Sequence, residues 1–545
     1  MKIFCKKNNG YRWTELPGGC FKGYIQPPGC PEPLRGEEAL RHFARAESFE
    51  GFLDLLKGLD GLYAVVLRRE DGGVWAAVDT VRSMPLYYSV DGSYISDSGP
   101  AVREALGIPK EEADLTALEE LFYTGCVAGP RTTYAAIAQL DAAQALECAG
   151  DGALRAAYYY SHSQKTIGVS RDSALRMFQE ASEAAFDEEI AAIGGRPVVI
   201  SLSGGYDSRY VACMLKARGV EDVSCYTYGR KDSFEVRDSE RIAKALGWRW
   251  IFVEYTDERM RGLLTDPVGQ QFCKACETYD YYVFPQNFAA VKYLHETGWI
   301  KPGSVFLSGL CCELAPGHYS SYTRKDYLGR FSPEDLGPAV SENGALNRLS
   351  GPARKAYLEV VDRQRRGMGL PLDTYEDFSD AVDALSLLRR HGRRAMHMND
   401  AHGFFGYEWL LPGRNRRLLD FWYSMPVEYK LNKNLYIEWF MKDLFARYGL
   451  NQEKGDFGYD TFQGWEKTKA RLRLLLNRIV CLPLGITLRQ PQDYTNYAPL
   501  ITLAFRRLRQ KHLISLRLTQ MQSIVALYFM EQTYGPRCLK NKGKT

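Results

Sequence analysis

No stretch of this chain supplies the roughly 18–20 consecutive apolar residues that a bilayer-spanning helix needs, so no transmembrane segment is expected. The N-terminus, Met1-Lys-Ile-Phe-Cys-Lys-Lys, turns polar at once and does not read as a secretory signal. Histidine is scarce, eight in 545 residues, and His391, His397 and His402 lie close in sequence without a metal-ligand spacing. There is no Gly-x-Ser-x-Gly nucleophile elbow. No glycine-rich loop is followed by the Gly-Lys-Ser/Thr of a Walker site. Cysteine is present, thirteen residues, but the count is odd and the positions scattered. Free thiols in a reducing cytoplasm are therefore expected. Cys273-Lys-Ala-Cys276 with the adjacent pair Cys311-Cys312 does not have the spacing of a zinc site.

What is there is the balance of a globular protein, 25% charged and 45% hydrophobic residues. The length suits two to four domains. A net charge of +4 is too small to imply a nucleic-acid partner. The charge is uneven, however. Residues 501–545 carry nine Lys/Arg against one acid, Glu531, a local +8 that leaves the rest of the chain at −4. From Trp465 onward the sequence reads as basic helix in which Arg471-Leu-Arg-Leu-Leu-Leu476 and Ala504-Phe-Arg-Arg-Leu-Arg509 mix apolar and cationic residues. Such helices either pack on the preceding domain or meet an acidic partner or a membrane surface.

The most informative stretch is Pro197-Val-Val-Ile-Ser-Leu-Ser-Gly-Gly-Tyr-Asp-Ser208. Its short β-branched run predicts a strand buried on both faces. Ser203-Gly204-Gly205 breaks the run, and Asp207 to Arg218 reads as a helix closed by Gly219. A strand that ends in small residues at a helix N-terminus is an anion site, because glycines admit close backbone approach and the N–H groups and helix dipole favour negative charge. Asp207 would repel a bare phosphate, so it makes chemical sense as a ligand to Mg2+ bridging phosphates. An ordinary strand–turn–helix remains the plain alternative.

The elements around it fall into two patterns. Residues 1–165 predict mostly antiparallel strands, with Gly61–Leu67 and Val74–Val78 around a turn at 70–73, a hairpin of Pro85–Val90 and Ser93–Ser96, and a helix from Asp114 to Tyr123. A helix over 166–195 follows. Strands at 197–201, 223–228 and 248–255 then alternate with helices at 207–218 and 235–246, which predicts a parallel sheet with ligands at the strand C-termini. A helix over Phe284–Leu294 leads to a strand over Ser304–Leu307, and 320–400 reads as helical and polar.

These residues carry a resemblance. Leu59-Asp-Gly-Leu-Tyr-Ala-Val-Val66, Asp79-Thr-Val-Arg-Ser-Met-Pro-Leu-Tyr-Tyr88 and Ile95-Ser-Asp97 resemble the glutamine amidotransferase domain of the asparagine synthetase family. Ser203-Gly-Gly-Tyr-Asp-Ser208 is similar to the pyrophosphate loop of that family's synthetase domain, of the ATP-pyrophosphatase group. Gly309, Glu313, Gly317 and Tyr319 match the family's second signature, and Glu453-Lys454-Gly-Asp-Phe-Gly458 its late lysine turn. The resemblance implies an N-terminal nucleophile-hydrolase-like antiparallel sandwich over 1–165, an ATP-pyrophosphatase α/β domain with a doubly wound parallel sheet over 166–465, and a basic helical extension over 466–545. It implies an AMP-forming ligase using ATP and Mg2+ to join a small-molecule or peptide carboxylate to an amine. Ser201, Leu202, Ser203, Gly204, Gly205, Asp207, Ser208, Glu235 and Gly309 would contact the nucleotide, Asp207 and Glu313 would bind metal, and Lys454 would stabilise developing charge. Two departures stand out. The family's glutaminase nucleophile is a cysteine directly after the initiator Met, where this chain has Lys2. Leu310 stands where relatives carry Glu or Tyr. The expectation is an amide-forming ligase without its own glutamine hydrolysis, with a non-catalytic nucleotide-binding scaffold as the alternative. A homodimer, and an acidic partner for the C-terminus, are both compatible with the sequence.

Overall fold

The structure is a computed structural model that describes residues 1–310, 331–341, 345–452, 493–511 and 521–536, with a few isolated positions between them. It is a mixed α/β architecture with three sheets.

The N-terminal half holds two of them. In the larger, Leu154–Tyr158, Gln144–Cys148, Val74–Val78, Asp60–Arg68, Gly19–Gln26 and Trp13–Leu16 lie side by side, and Leu34–Arg35 pairs on Gly19–Gln26. Every pairing in this sheet is antiparallel. The smaller sheet runs Lys2–Phe4, Tyr94–Ser96, Tyr87–Ser89, Ile137–Gln139, and its first pair is parallel. Asp60–Arg68 and Val74–Val78 are buried on both faces almost throughout, so the strands read as apolar runs without alternation. Helix Leu115–Thr124 begins at Asp114, whose carboxylate caps the N–H groups of Thr116 and Ala117, and it ends at Gly125 with φ 83°.

The third sheet is all parallel, in the order Arg249–Glu254, Val223–Gly229, Val198–Ser201, Val305–Leu307, Glu408–Leu410. Chain order runs outward from Val198–Ser201 to one side, then returns to its other side with Val305–Leu307. That reversal is a topological switch point, where a crevice opens at the strand C-termini because the connections leave in opposite directions. Helix Arg171–Ile193 precedes the sheet, capped by Ser170 and closed by Gly194.

One expectation needs correction. The helix expected over Phe284–Leu294 runs instead from Phe288 to Glu296: Pro285 keeps Phe284 extended, and a turn in which the Phe288 N–H donates to the Pro285 carbonyl at 3.1 Å precedes the helix. Within 320–400, expected to be helical and polar, the described residues are largely helical, and those from Phe378 to Leu388 are deeply buried. Two charges in and beside it are satisfied internally. Lys430 donates to Asp380 at 2.9 Å, and Arg389 donates to the Val340 carbonyl at 3.1 Å and to the Tyr357 hydroxyl.

Buried arginines join the two halves. Arg414 pairs with Asp60 and, at 3.0 Å, with Glu189, and donates to the Tyr24 hydroxyl at 2.8 Å. Arg393 reaches Asp141 at 2.5 Å and Asp280 at 3.2 Å. Burial alone would raise the Asp280 carboxyl, but Arg82 and Arg393 hold it well below the usual range. Helices Ala498–Gln510 and Met521–Tyr534 pack on the same body, where the Thr133 hydroxyl donates to that of Tyr534 at 2.9 Å. No helix among the described residues is long and apolar enough to cross a membrane.

Candidate active site

The crevice at the switch point collects most of the residues singled out from the sequence. Strand Val198–Ser201 delivers Leu202, whose N–H donates to the Tyr226 carbonyl at 2.9 Å and whose carbonyl accepts from the Thr227 hydroxyl at 2.7 Å. These bonds fix the exit direction of the loop. Ser203 and Ser208 then close it. Their hydroxyls lie 3.0 Å apart, the Ser203 N–H donates to the Ser208 Oγ at 3.1 Å, and the Gly205 N–H donates to the Ser203 Oγ at 3.2 Å. Helix Tyr206–Ala217 starts directly afterwards at Gly205, with no side-chain cap. Its first-turn N–H groups and the positive end of its dipole therefore open onto the crevice.

Side chains at the glycines would be crowded. A Cβ on Gly204 would sit 3.1 Å from the Asp238 Cβ, and one on Gly205 would sit 3.2 Å from the Ser203 Oγ. Gly309, just past strand Val305–Leu307, is tighter still. Its Cβ would lie 2.7 Å from the Ser208 nitrogen and 2.8 Å from the Asp207 carbonyl carbon. Gly309 thus lets the neighbouring strand end pack on the backbone of the loop, as two strands parted by a switch point must do where their ends converge.

Asp207 is half-buried at the helix N-terminus and accepts a 2.7 Å hydrogen bond from the Tyr436 hydroxyl. Burial and the charge of Asp207 push the Tyr436 phenol well above its usual value, so it stays a hydrogen-bond donor. Glu235 lies in the first turn of helix Phe234–Leu246, where its N–H donates to the Ser233 Oγ at 3.3 Å. Asp238, one turn further on, lies against Gly204. Glu313 and Lys454 lie outside the described residues.

Sequence reading missed three participants. Tyr436 is more than 200 positions from Asp207, and no local pattern announces it. Asp238 shares a helix face with Glu235 at i+3, and that spacing could have pointed to it. Arg209 carried a signal that went unread, since a cation in a first helical turn opposes the dipole and implies a tertiary partner. Its guanidinium, 1% exposed, donates to the Gly204 carbonyl at 2.9 Å and to the carbonyls of Leu450 and Gln452 at 2.7 and 2.9 Å. Arg209 therefore clamps the loop to the segment that runs directly into residues 453 and 454. Burial and nearby Arg241 lower its pKa.

At the N-terminus, Cys5 and Cys20 are 2% and 1% exposed. A hydrogen bond with Cys20, followed by burial, raises the Cys5 thiol well above its ordinary value, which disfavours the reactive thiolate. Nearby Asp97 accepts from the N–H groups of Lys6 and Lys7 and from the Trp13 indole.

The loop fits a phosphate group and its metal. Glycine clefts too narrow for side chains, an uncapped helix N-terminus and a carboxylate oriented by a hydroxyl are the donor set such a group requires. Comparison with known proteins agrees with this chemistry. A family model described as asparagine synthase matches residues 183–530. A 68-residue stretch is 37% identical to 7-cyano-7-deazaguanine synthase from Paramagnetospirillum magneticum, and the match covers 12% of this chain and 30% of that protein.

Proposed function

The chain belongs to the asparagine synthase family, and from that premise we propose that it is an ATP-dependent carbon–nitrogen ligase that activates a carboxylate as an acyl-adenylate. The observation that carries this reading is the Ser203–Ser208 loop, held at a switch point with Gly309 against its backbone and Asp207 at its mouth. ATP is consumed as a substrate: a carboxylate oxygen attacks the α-phosphorus, pyrophosphate leaves, and an amine then displaces AMP to form the amide. The backbone of Ser201 to Gly205, Ser208 and Gly309 would lie against the nucleotide, with Glu235 at the flank. Loop N–H groups and the helix dipole would take up the pyrophosphate charge. Asp207 and Glu313 would hold Mg2+, which supplies charge neutralisation of the leaving group when bound. Tyr436 aims Asp207 through its hydrogen bond, and Arg209 ties the segment before Lys454 to the loop, where that lysine would stabilise developing charge.

The N-terminal half, residues 1–165, serves in this reading as a scaffold without glutaminase activity. Cys5 and Cys20 are sealed in the core, which supports that reading. The amine is then ammonia or a group on the substrate, and the cytoplasm supplies the reducing setting for the free thiols. The synthetase unit spans 166–465 and the basic extension 466–545. One feature supports the alternative of a non-catalytic nucleotide-binding scaffold: Leu310, packed against the core where relatives carry Glu or Tyr, can neither move a proton nor bind a polar substrate.

ATP–pyrophosphate exchange across a panel of carboxylic acids separates the two. The ligase reading expects exchange with at least one acid, lost in Asp207→Ala. ATP binding without exchange for any acid selects the scaffold. Glutamate released from added glutamine at a sustained rate would overturn the scaffold role of the N-terminal half.

A further inference from the structure

A cavity of about 30 Å³ lies where the antiparallel half meets the half that holds the parallel sheet. Lys7, Asn9, Lys22 and Asp97 line it from the first, and His397 and Asp400 from the second. One water needs about 10–15 Å³, so the space admits about two or three water-sized groups. Lys7 and Asp97 also line an open groove with Phe4, Lys6 and Ser98, which gives the cavity a route to solvent.

The polar groups of the wall are unevenly satisfied. Asp97 is engaged by the N–H groups of Lys6 and Lys7 and by the Trp13 indole. Asp400 holds the His397 Nδ1 at 2.9 Å, and the Tyr281 ring stacks on that imidazole with centroids 5.3 Å apart. The imidazole is thus fixed and 6% exposed, and its buried Nε2 has no hydrogen-bond partner. Neither has the Asn9 Oδ1. Lys22 is 2% exposed and donates to the Lys7 carbonyl at 2.6 Å, while its ammonium stands 3.8 Å from Asp97, beyond hydrogen-bond reach. One hydrogen bond therefore serves a group with three donors. Burial pushes the Lys22 pKa down to about 8 against the pull of Asp97, and Lys7 lowers it further.

Two ammonium groups thus share a cavity whose carboxylates already have partners. Buried polar groups in folded proteins are satisfied, and what this wall lacks is an acceptor for its cations. Arg82, which also lines the cavity, holds φ 57°, a strained state for a non-glycine residue that concentrates at functional sites. We propose that the cavity binds a small planar oxyanion, either a carboxylate of formate size or bicarbonate, whose oxygens accept from Lys7 and Lys22 and which bridges the two halves beside His397. The two ions differ in one group, since bicarbonate also carries a hydroxyl that donates to an acceptor such as the Asn9 Oδ1. This site is independent of whether the nucleotide crevice performs the ligase reaction.

The test is isothermal titration calorimetry of the full chain, without ATP, with sodium formate and with sodium bicarbonate, chloride holding the ionic strength constant. Saturable binding of at least one ion is expected. Formate alone assigns a carboxylate, and bicarbonate alone assigns the ion with the hydroxyl. Lys7→Gln should weaken binding by at least about tenfold, and Lys22→Met should abolish it, with far-UV circular dichroism checking the fold of each variant. Lys7 lies outside the Ser203–Ser208 loop, so a loss in Lys7→Gln assigns the binding to this cavity and not to the loop. No saturable binding of either ion, which leaves the space to water, or binding unchanged in Lys7→Gln, overturns the proposal.

Discussion

Two turns of this chain look alike in sequence and behave differently. Asp79-Thr-Val-Arg-Ser83 follows strand Val74–Val78, and Ser203-Gly-Gly-Tyr-Asp-Ser208 follows strand Val198–Ser201. Each places serine and a carboxylate just past a buried strand. In the antiparallel half the carboxylate is consumed. Asp79, 1% exposed, accepts from the N–H groups of Val81, Tyr63 and Ser83 at 2.9, 3.1 and 3.0 Å and from the Ser83 hydroxyl. Burial raises its pKa despite those bonds. In the parallel half the serines hold the loop shape instead, and Asp207 stays half-exposed with its orientation set by Tyr436. The difference is architectural. An antiparallel turn can be roofed by another element, here Gly392 close over the Val81 carbonyl. The C-terminal edge of a parallel sheet stays open, because its helices cover the faces and not the ends.

The contrast predicts opposite variant behaviour. The largest expected effect is Asp79→Ala, which strands three buried N–H donors and should cost about 3–5 kcal/mol of stability in urea denaturation. A cost below about 1 kcal/mol would mean the carboxylate is not the keystone of its turn. Asp207→Ala should do the reverse. Stability should change by less than about 1 kcal/mol, while ATP–pyrophosphate exchange falls by about 10²–10³-fold. A destabilised Asp207→Ala protein would erase the distinction between the two turns. Gly309→Ala should come next, at about 1–3 kcal/mol, because its Cβ meets the backbone of the loop and neither chain can yield. Its exchange rate should fall further than its stability does.

The smallest effect per step is a response to acid shared by both halves. His162, following the antiparallel strands, and His402, beside the parallel sheet, are buried and held neutral, each lowered by burial from 6.5 to about 3. The unfolded chain takes up these protons first as pH falls below 6.5. Stability should therefore drop between pH 6.5 and 3, by up to about 1.4 kcal/mol per unit for each histidine. His162→Phe and His402→Phe should each remove a comparable part of that slope in denaturation measured against pH. A slope that vanishes with one substitution alone would show that one half governs acid stability.

Much of this was legible in the sequence, and the limits are physical. The alternation of β-branched runs and helical segments from 197 to 255 specified parallel strands, because those periodicities are local. The Ser-Gly-Gly-Tyr-Asp-Ser loop announced a turn from strand to helix for the same reason, since its glycines and its helix start are neighbours in the chain. The boundary of helix Phe288–Glu296 was misplaced by four residues' worth of proline geometry at Pro285. The burial of 378–388 was not legible, because a charge there finds its partner far away in sequence, as Asp380 does in Lys430.

By itself, then, the sequence determined the order of the elements and the strand-to-helix turn at the loop, since both depend on residues within a few positions of one another. Only the tertiary structure decided that Val305–Leu307 lies beside Val198–Ser201, that Gly309 must be glycine, and that Tyr436 and Arg209 hold the site. Those depend on which strand ends converge and which carbonyls lack donors, and long-range packing alone sets both.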